Sequence, residues 1–291
     1  MVSFTLQIVS TDPFASLFVR YAPRAKAFYA GTLCAPQSFS GDATGYLHVL
    51  HRGRLRIERP HGAAIELSEP SLVMLPLGEV HNFRPDFEAG ADLTCAEVQL
   101  WGGRDDPVAT LLPTLLVVPL ASLATIAPTL GLLFDEAFAD RPGRQPALDR
   151  LFEYLAIQLL RHVVERGLIE VGILAGLADQ RLVRALTAMH ANPEKNWLLD
   201  DLARLAGMSR SRFAALFRSR VGVTPIDYLG RWRISRAQLL LRDGKAIKAV
   251  AAAVGYNSAA AFTRAFAKLC GRSPRTWAAI STTTSPGVAA V

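Results

Sequence analysis

The spacing of hydrophobic residues predicts a β-rich first part of the chain. Between residues 15 and 101, short runs of β-branched, aliphatic and aromatic residues alternate with clusters of Gly, Pro and Asp. This alternation is typical of short strands joined by turns. Strands at this spacing predict an antiparallel sandwich or barrel, and we take the antiparallel β-barrel as the expected fold. The predicted strands are 17–21, 45–50, 54–58, 71–75 and 93–101.

The hydrophobic spacing becomes helical at about residue 119. Apolar residues recur at steps of three and four from Leu120 to Leu130, and a second stripe runs from Leu148 to Val163. We therefore expect a helical connector over 119–178. The second stripe either packs within the chain or forms a self-complementary surface for a homodimer.

Two segments in the last hundred residues follow one plan, in which a short helix, a glycine, a polar residue and a second helix succeed each other. Gly207 and Gly255 suit the left-handed residue that ends a helix, and Ser209 and Ser258 can cap the next one. Phenylalanines four residues apart share one face of each second helix and predict a small core. They are Phe213, Phe217, Phe262 and Phe266.

A predicted spacer helix joins the two segments. It begins at Thr224-Pro225, with Thr224 as the cap and Pro225 in the first turn. About 17 residues at about 1.5 Å each give a rod of roughly 25 Å. Such a rod could hold two recognition helices about one DNA turn apart, so that both meet the same face of the duplex.

Charge is distributed unevenly along the chain. The formal net charge of +7 combines −5 in residues 1–178 with +12 in residues 179–291. A basic segment joined to an acidic body is typical of a module that binds a polyanion such as DNA.

Composition limits the protein class. The 291 residues favour two domains, and three cysteines argue against a disulfide framework. No apolar run reaches the roughly 18 residues of a membrane span, and the N-terminus does not resemble a signal peptide. We therefore expect a cytoplasmic protein without membrane contact, with a disordered tail at 283–291.

Residues 181–280 resemble the DNA-binding domain of the AraC/XylS family of bacterial regulators. The resemblance rests on 199–217, 222–225, 232–237, 254–266 and 271–274. It implies an all-α domain with two helix-turn-helix motifs that controls transcription through two adjacent major-groove contacts on promoter or operator DNA, with RNA polymerase as a further partner. The N-terminal part resembles the cupin-type sensor domain of one branch of this family. The expected domains are a cupin-like sensor at 1–118, the connector at 119–178 and the paired helix-turn-helix unit at 179–282.

The family reads bases from early exposed positions of both second helices, which correspond here to Ser211, Ala214, Ala215, Ala260 and Arg264. Three of these are alanine, which can meet a thymine methyl group but cannot form a bidentate hydrogen bond. We therefore expect the longer arginines to contact base edges or phosphates, with Arg264 as the foremost base reader. The candidate DNA-binding residues are Ser209, Arg210, Ser211, Arg212, Ala214, Ala215, Arg218, Ser258, Ala260, Thr263, Arg264 and Lys268.

Residues 76–81 contain P-x-G-x-x-H, which resembles the second cupin motif and would present His81 to the barrel interior. The first cupin motif keeps His48 but lacks its second histidine. His48, His81, Cys95 and Cys34 are therefore the candidate pocket residues, and histidine with thiolate would suit zinc or another divalent metal. A metal-free pocket for a small molecule and a domain without an effector pocket are the alternatives.

Three functions remain open. We favour a DNA-binding regulator that responds to a small molecule or metal and is not an enzyme. The first alternative is a cupin-type metal-dependent enzyme fused to a DNA-binding domain, which the incomplete first motif disfavours. The second is an architectural protein that binds all DNA sequences alike.

Overall fold

The computed structural model describes residues 22–40, 45–100 and 106–283, with the backbone alone for 281–283. The predicted strand 17–21 and the predicted tail after Thr283 lie outside the described residues. In the part of the chain that is described, no helix is both long and apolar enough to span a membrane.

The first part folds into two antiparallel sheets. The larger sheet has the strand order β1-β8-β3-β6-β9 and the smaller has β2-β7-β4-β5. The strands are β1 Arg24–Leu33, β2 Gln37–Phe39, β3 Gly45–Gly53, β4 Leu55–Glu58, β5 Ile65–Leu67, β6 Ser71–Leu75, β7 His81–Pro85, β8 Ala91–Gln99 and β9 Leu116–Pro119.

The expected closed barrel is wrong, and the described residues form an open sandwich. No strand of one sheet pairs with a strand of the other, so the hydrogen-bond ladder does not run around the domain. Closure would require continuous pairing between the edge strands. The smaller sheet ends in β2 and β5, which have three residues each and offer few ladder bonds.

The side chains of the larger sheet alternate in direction, and both of its faces are covered. Tyr46 and Leu50 of β3 face the smaller sheet and form the core between the sheets. Leu47 and Val49 of the same strand face the opposite way, into a second core that includes the connector helices.

Ten helices follow the sandwich or pack against it. Their bounds are α1 Ala127–Phe138, α2 Arg144–Glu165, α3 Ile173–Ala178, α4 Leu182–Ala191, α5 Leu199–Leu205, α6 Arg210–Val221, α7 Pro225–Arg242, α8 Ile247–Ala253, α9 Ala259–Cys270 and α10 Pro274–Thr283. This count refers to the described ranges, which also contain 3₁₀ turns at Ala109–Leu111 and Leu120–Ser122.

The apolar stripe of α2 packs within the chain. Leu148, Leu155, Leu159 and Val163 are at most 3% exposed, and they belong to the core beneath the larger sheet. The interpretation of this stripe as a dimer surface is therefore wrong, because its residues pack against the outer face of the larger sheet. The homodimer itself stays a prediction.

The C-terminal part contains two helix pairs, α5–α6 and α8–α9. Gly207 and Gly255 end the first helix of each pair with φ values of +65° and +84°. The side chain of Ser258 caps α9 by accepting a bond from the Ala261 amide at 3.1 Å, whereas Ser209 occupies the cap position of α6 without such a bond. The four predicted phenylalanines, Phe213, Phe217, Phe262 and Phe266, are fully buried.

Helix α7 is the spacer between the pairs, and its 18 residues give a rod of about 27 Å. Thr224 caps it by accepting a bond from the Asp227 amide at 3.2 Å. The first half of α7 packs with the first pair through Tyr228 and Trp232. The second half, from Ile234, packs with the second pair. One helix therefore supports both pairs.

Candidate DNA-binding surface and sensor site

Ten of the twelve candidate DNA-binding residues are exposed, and the exceptions, Ala214 and Thr263, are half-buried. On α9, the exposed residues Ala260, Arg264 and Lys268 lie on successive turns of one face. Both second helices thus turn their phenylalanines inward and their polar residues outward.

The exposed arginines differ in their partners. Arg210 lies 3.8 Å from Asp200 in a solvent-exposed ion pair, which contributes little to stability. Arg212, Arg218, Arg264 and Lys268 form no ion pair with any residue that the structure describes. Their charges are available to an external anion. Which of them contact DNA stays a prediction.

The second helix pair and the spacer helix contact the segment that precedes the first pair. Arg233 of α7 donates hydrogen bonds to the carbonyl oxygens of Pro193 at 2.7 Å and Lys195 at 2.9 Å, and it lies 5.7 Å from the ring of Tyr256. A Cβ atom on Gly255 would come within 2.6 Å of the Glu194 carbonyl oxygen. The turn of the second pair is therefore seated on the segment that leads into the first.

A buried polar contact joins the sandwich to the spacer helix. Ser235 of α7, which is fully buried, donates to the Asp106 carboxylate at 2.6 Å, and Asp106 is 1% exposed. Arg231 of α7 donates to the Pro107 carbonyl oxygen at 3.2 Å and to the Thr110 hydroxyl at 3.0 Å. We call these contacts between 106–110 and α7 the interdomain latch. Sequence reasoning missed it, because no local pattern distinguishes these residues.

The structure brings His48 and His81 together between the two sheets. Their Nε2 atoms are 3.0 Å apart, and both side chains are fully buried. The Nδ1 atom of His81 lies 2.8 Å from the Glu79 carbonyl oxygen. The ring of Phe39 stacks on His81 at 4.9 Å, and Phe83 packs on His48 at 4.7 Å.

The hydrogen-bond partners assign the protons of the pair. A carbonyl oxygen only accepts, so His81 Nδ1 carries a proton and donates to Glu79. Burial lowers the pKa of His48 well below its ordinary value, and the neighbouring His81 lowers it further. Burial also lowers the pKa of His81, although its bond to the Glu79 carbonyl opposes the shift. Two neutral rings then require His48 Nε2 to donate to His81 Nε2, which leaves His48 Nδ1 as a buried acceptor without a partner among the described residues.

The two candidate cysteines lie in different environments. Cys95 of β8 is fully buried and pairs across the sheet with His48, and it belongs to the same core between the sheets. Burial raises the pKa of its thiol, which keeps the thiol protonated. Cys34 is exposed, directly after β1. Whether Cys34 contributes to a pocket stays a prediction.

These residues do not fit a tetrahedral zinc site. Across the described ranges, no three His, Cys, Asp or Glu side chains come together to hold a metal ion. The pair His48–His81 supplies two nitrogen atoms, whereas zinc sites in proteins take at least three protein ligands. Elemental analysis of the purified chain tests whether it carries zinc.

An apolar cavity of about 220 Å³ lies beside the histidine pair. A register shift in β1 between Ala27 and Tyr29 interrupts the regular alternation, and both Phe28 and Tyr29 line the cavity. Its lining residues are Phe28, Tyr29, Leu33, Gln37, Phe39 and Leu93. Sequence reasoning missed the cavity because it missed β1 and β2; the adjacent aromatic residues at 28 and 29 were the available signal. A more polar open cleft of about 410 Å³ lies near Arg181 and Arg220, where Asp179 pairs with Arg181 at 2.7 Å.

Comparisons with known proteins match both parts of the chain. Residues 12–165 match the family described as "Cupin", and residues 202–280 match "Helix-turn-helix domain". An uncharacterized HTH-type transcriptional regulator of Haemophilus influenzae is 37% identical over 142 residues, 48% of each chain. The HTH-type transcriptional regulator AlkR of Acinetobacter baylyi is 29% identical over 78% of this chain and 85% of its own length. The chain spans about half the length of several curated relatives that it matches.

A solved AraC-type regulator structure from Chromobacterium violaceum is 30% identical and covers 37% of this chain and 95% of its own, with a TM-score of 0.34. The cupin match covers more than half of the chain, and the helix-turn-helix match lies on the two helix pairs. The chain therefore belongs to the cupin family through its N-terminal part and carries a helix-turn-helix domain in its C-terminal part, and the relatives that it resembles are named as HTH-type or AraC-like transcription regulators.

Proposed function

We propose that this protein binds double-stranded DNA in a sequence-specific way and regulates transcription in response to a small molecule held in the cupin domain. The observation that carries the proposal is the repeated arrangement of α6 and α9. Each of these helices is anchored by buried phenylalanines, presents exposed cationic side chains outward and is attached to the one spacer helix, α7. Two helix-turn-helix units so arranged can enter successive major-groove segments of one duplex.

We expect some of the exposed residues to contribute to affinity for DNA and others to sequence specificity. Arg212, Arg218 and Lys268 have no ion pair among the described residues and suit phosphate contacts, which position a protein without reading sequence. Arg264 lies in the middle of the outward face of α9, where an arginine can form a bidentate contact with guanine. Ala215 and Ala260 suit thymine methyl groups.

The interdomain latch supports a route from the sensor to DNA. The contacts of 106–110 fall on Arg231 and Ser235 of α7, the helix that holds both helix-turn-helix units. An effector that binds one arrangement of the cupin domain better than another would change the population of latched molecules. That population would change how often both units face DNA together.

Selection of bound duplexes from a random DNA pool by the full chain tests the proposal. We expect enriched sequences with two segments about one helical turn apart. Arg264→Ala should cost about 1–3 kcal/mol at one base pair and relax the preference there. Lys268→Ala should weaken binding to all sequences alike and reduce the salt slope by about one. Arg161→Ala, on the exposed side of α2, is the matched control and should change neither.

The alternatives make different predictions. An architectural DNA binder would enrich no sequence in this selection. A cupin-type enzyme would turn over a small molecule, and the relatives reported above, which are named as regulators, do not favour it. Homodimerisation and contact with RNA polymerase stay predictions, to be tested by sedimentation and by transcription with purified polymerase.

A further inference from the structure

We infer that the cupin cavity takes a small neutral molecule with an apolar body and one hydrogen-bond donor, such as a monocyclic phenol, and that His48 Nδ1 accepts that donor. The inference rests on the proposed sensor role and names the chemical class of the effector. It starts from an unsatisfied group inside the sandwich.

The unsatisfied group is the last member of a hydrogen-bonded chain. The Glu79 carbonyl accepts from His81, and His81 accepts from His48. In the part of the chain that the structure describes, His48 Nδ1 then remains an acceptor with no partner, on a side chain that is fully buried. A buried acceptor without a partner is costly, and native proteins retain few of them. A ligand that donates one hydrogen bond removes this cost when it binds.

Two rings connect the cavity to His48. Phe39 lies 5.0 Å and Phe28 lies 6.4 Å from the His48 ring, measured between ring centroids, and both also line the cavity. Phe28 is 43% exposed and lies at the register shift of β1. The lining includes neither histidine, so the proposed contact with His48 requires Phe28 or Phe39 to shift when the ligand binds.

The size and lining of the cavity define the body of the ligand. An apolar cavity of about 150 Å³ is enough to hold benzene. The 220 Å³ found here accommodates a single ring with a short substituent. Aromatic and aliphatic side chains supply five of the six lining residues, so the body is apolar, and Gln37 supplies the one amide.

Charge excludes the ionic alternatives. Among the described residues, no Lys or Arg lines the cavity, and Arg59, which lies near the histidine pair, is held by Glu79 at 3.2 Å. A carboxylate would place its lone pairs against that of His48 and leave its charge unpaired by these residues. An ammonium ion would find no carboxylate in the part of the lining that the structure describes. Burying either charge without a partner is strongly unfavourable.

Calorimetric titration of the full chain with four probes of similar size tests the inference without DNA. The probes are p-cresol, p-xylene, 4-methylbenzoate and 4-methylbenzylammonium. We expect p-cresol to bind about tenfold more tightly than p-xylene, which has the same shape but no donor. The two ions should bind more weakly still. Because DNA is absent, failure here leaves the DNA selection experiment unaffected, and failure there leaves this result intact.

A matched pair of variants locates the donor contact. His48→Phe keeps a ring in the core and should abolish the preference for p-cresol over p-xylene. His51→Phe changes a histidine on the same strand that faces the helices, 4.0 Å from Phe134, and should keep the preference. Nitrogen NMR of the wild-type imidazoles gives a reading that needs no variant. The lone-pair nitrogen His48 Nδ1 should shift on addition of p-cresol but not p-xylene.

Four results would overturn the inference. They are equal binding of p-cresol and p-xylene, tightest binding of either ion, no binding of any probe, and a His48 Nδ1 resonance that p-cresol leaves unchanged. Stoichiometric zinc on the purified chain would overturn it as well, because a metal would occupy the histidine nitrogen atoms.

Discussion

Gly255→Ala tests whether the contact between the Gly255 turn and the Glu194 backbone holds the two helix pairs in one arrangement. Gly255 has a φ of +84°, where an alanine costs about 1–2 kcal/mol. The new Cβ would also lie 2.6 Å from the Glu194 carbonyl oxygen and 2.7 Å from the Glu194 Cα. Both atoms belong to the backbone, so relief requires the turn of the second pair to move away from the segment that precedes the first pair.

Gly207→Ala is the matched control, because Gly207 ends the first helix of the other pair with a φ of +65°. A Cβ there meets no atom within 4 Å. Both variants share the cost of positive φ and the entropy change of the unfolded chain. The difference between them therefore isolates the overlap with Glu194, which we expect to be about 1–3 kcal/mol, as for other overpacked sites.

Urea denaturation of both variants measures this difference, and binding to the selected DNA measures its consequence. We expect Gly255→Ala to be the less stable variant and to lose affinity for sites with two segments, since its second unit is displaced. Gly207→Ala should retain the affinity of the wild type for such sites. Equal unfolding free energies in the two variants would refute the seating of the turn on Glu194, and equal DNA affinities would refute the claim that this contact sets the spacing of the units.

Three further changes probe the latch and the histidine pair. Ser235→Ala removes a donor to the buried Asp106 carboxylate and should cost about 1–3 kcal/mol; calorimetry should show separate melting of the domains, whereas the exposed control Ser219→Ala should melt like the wild type. Because burial lowers the pKa of His48 and His81, the unfolded chain binds more protons than the folded chain at low pH. The free energy of unfolding should therefore be highest above a pH of about 6.5, and below it should fall by about 1.4 kcal/mol per pH unit for each proton. His48→Phe should reduce that slope, and an unchanged slope would contradict the neutral pair. Elemental analysis should find no stoichiometric zinc; one zinc per chain that disappears in His81→Ala would contradict the two-nitrogen site.

The helix pairs could be predicted from the sequence because their determinants are local. A glycine at positive φ, a capping serine and phenylalanines four residues apart act within a dozen residues of each other. The prediction was accurate for the burial of all four phenylalanines and for the cap of Ser258. The long spacer helix could also be predicted from the sequence, since Thr224-Pro225 marks its beginning.

The sandwich was less predictable because its shortest strands depend on their neighbours. Strand β1 contains Ala25, Ala27, Ala30 and Gly31, which have low β-propensity, and it exists through its pairing with β8. Strands β2 and β5 have three residues each, too few to show a period. The cavity was missed for the same reason, since β1 and β2 supply most of its lining.

The site itself was predicted in part. His48 and His81 were found through spacing that resembles the cupin motifs, and the registers of β3 and β7 bring them within 3.0 Å. Spacing did not reveal that Cys34 is exposed, because that depends on where β1 ends. It also could not reveal the hydrogen bond between the two rings, which leaves one nitrogen atom of His48 for a ligand.

The energy available in the latch matches what a regulator of this kind needs. Its three hydrogen bonds between 106–110 and α7 are each worth about 0.5–1.5 kcal/mol net, so together they hold roughly 1.5–4.5 kcal/mol. Coupling between distant sites in proteins is typically about 1–3 kcal/mol. A single hydrogen bond from an effector to His48 supplies an energy of the same order as one latch contact. An effector in the cupin domain can therefore shift the latched population without unfolding either domain, provided that its affinity differs between the latched and released forms. Equal affinity of p-cresol for the wild type and for Ser235→Ala would show that the cavity and the latch are not coupled.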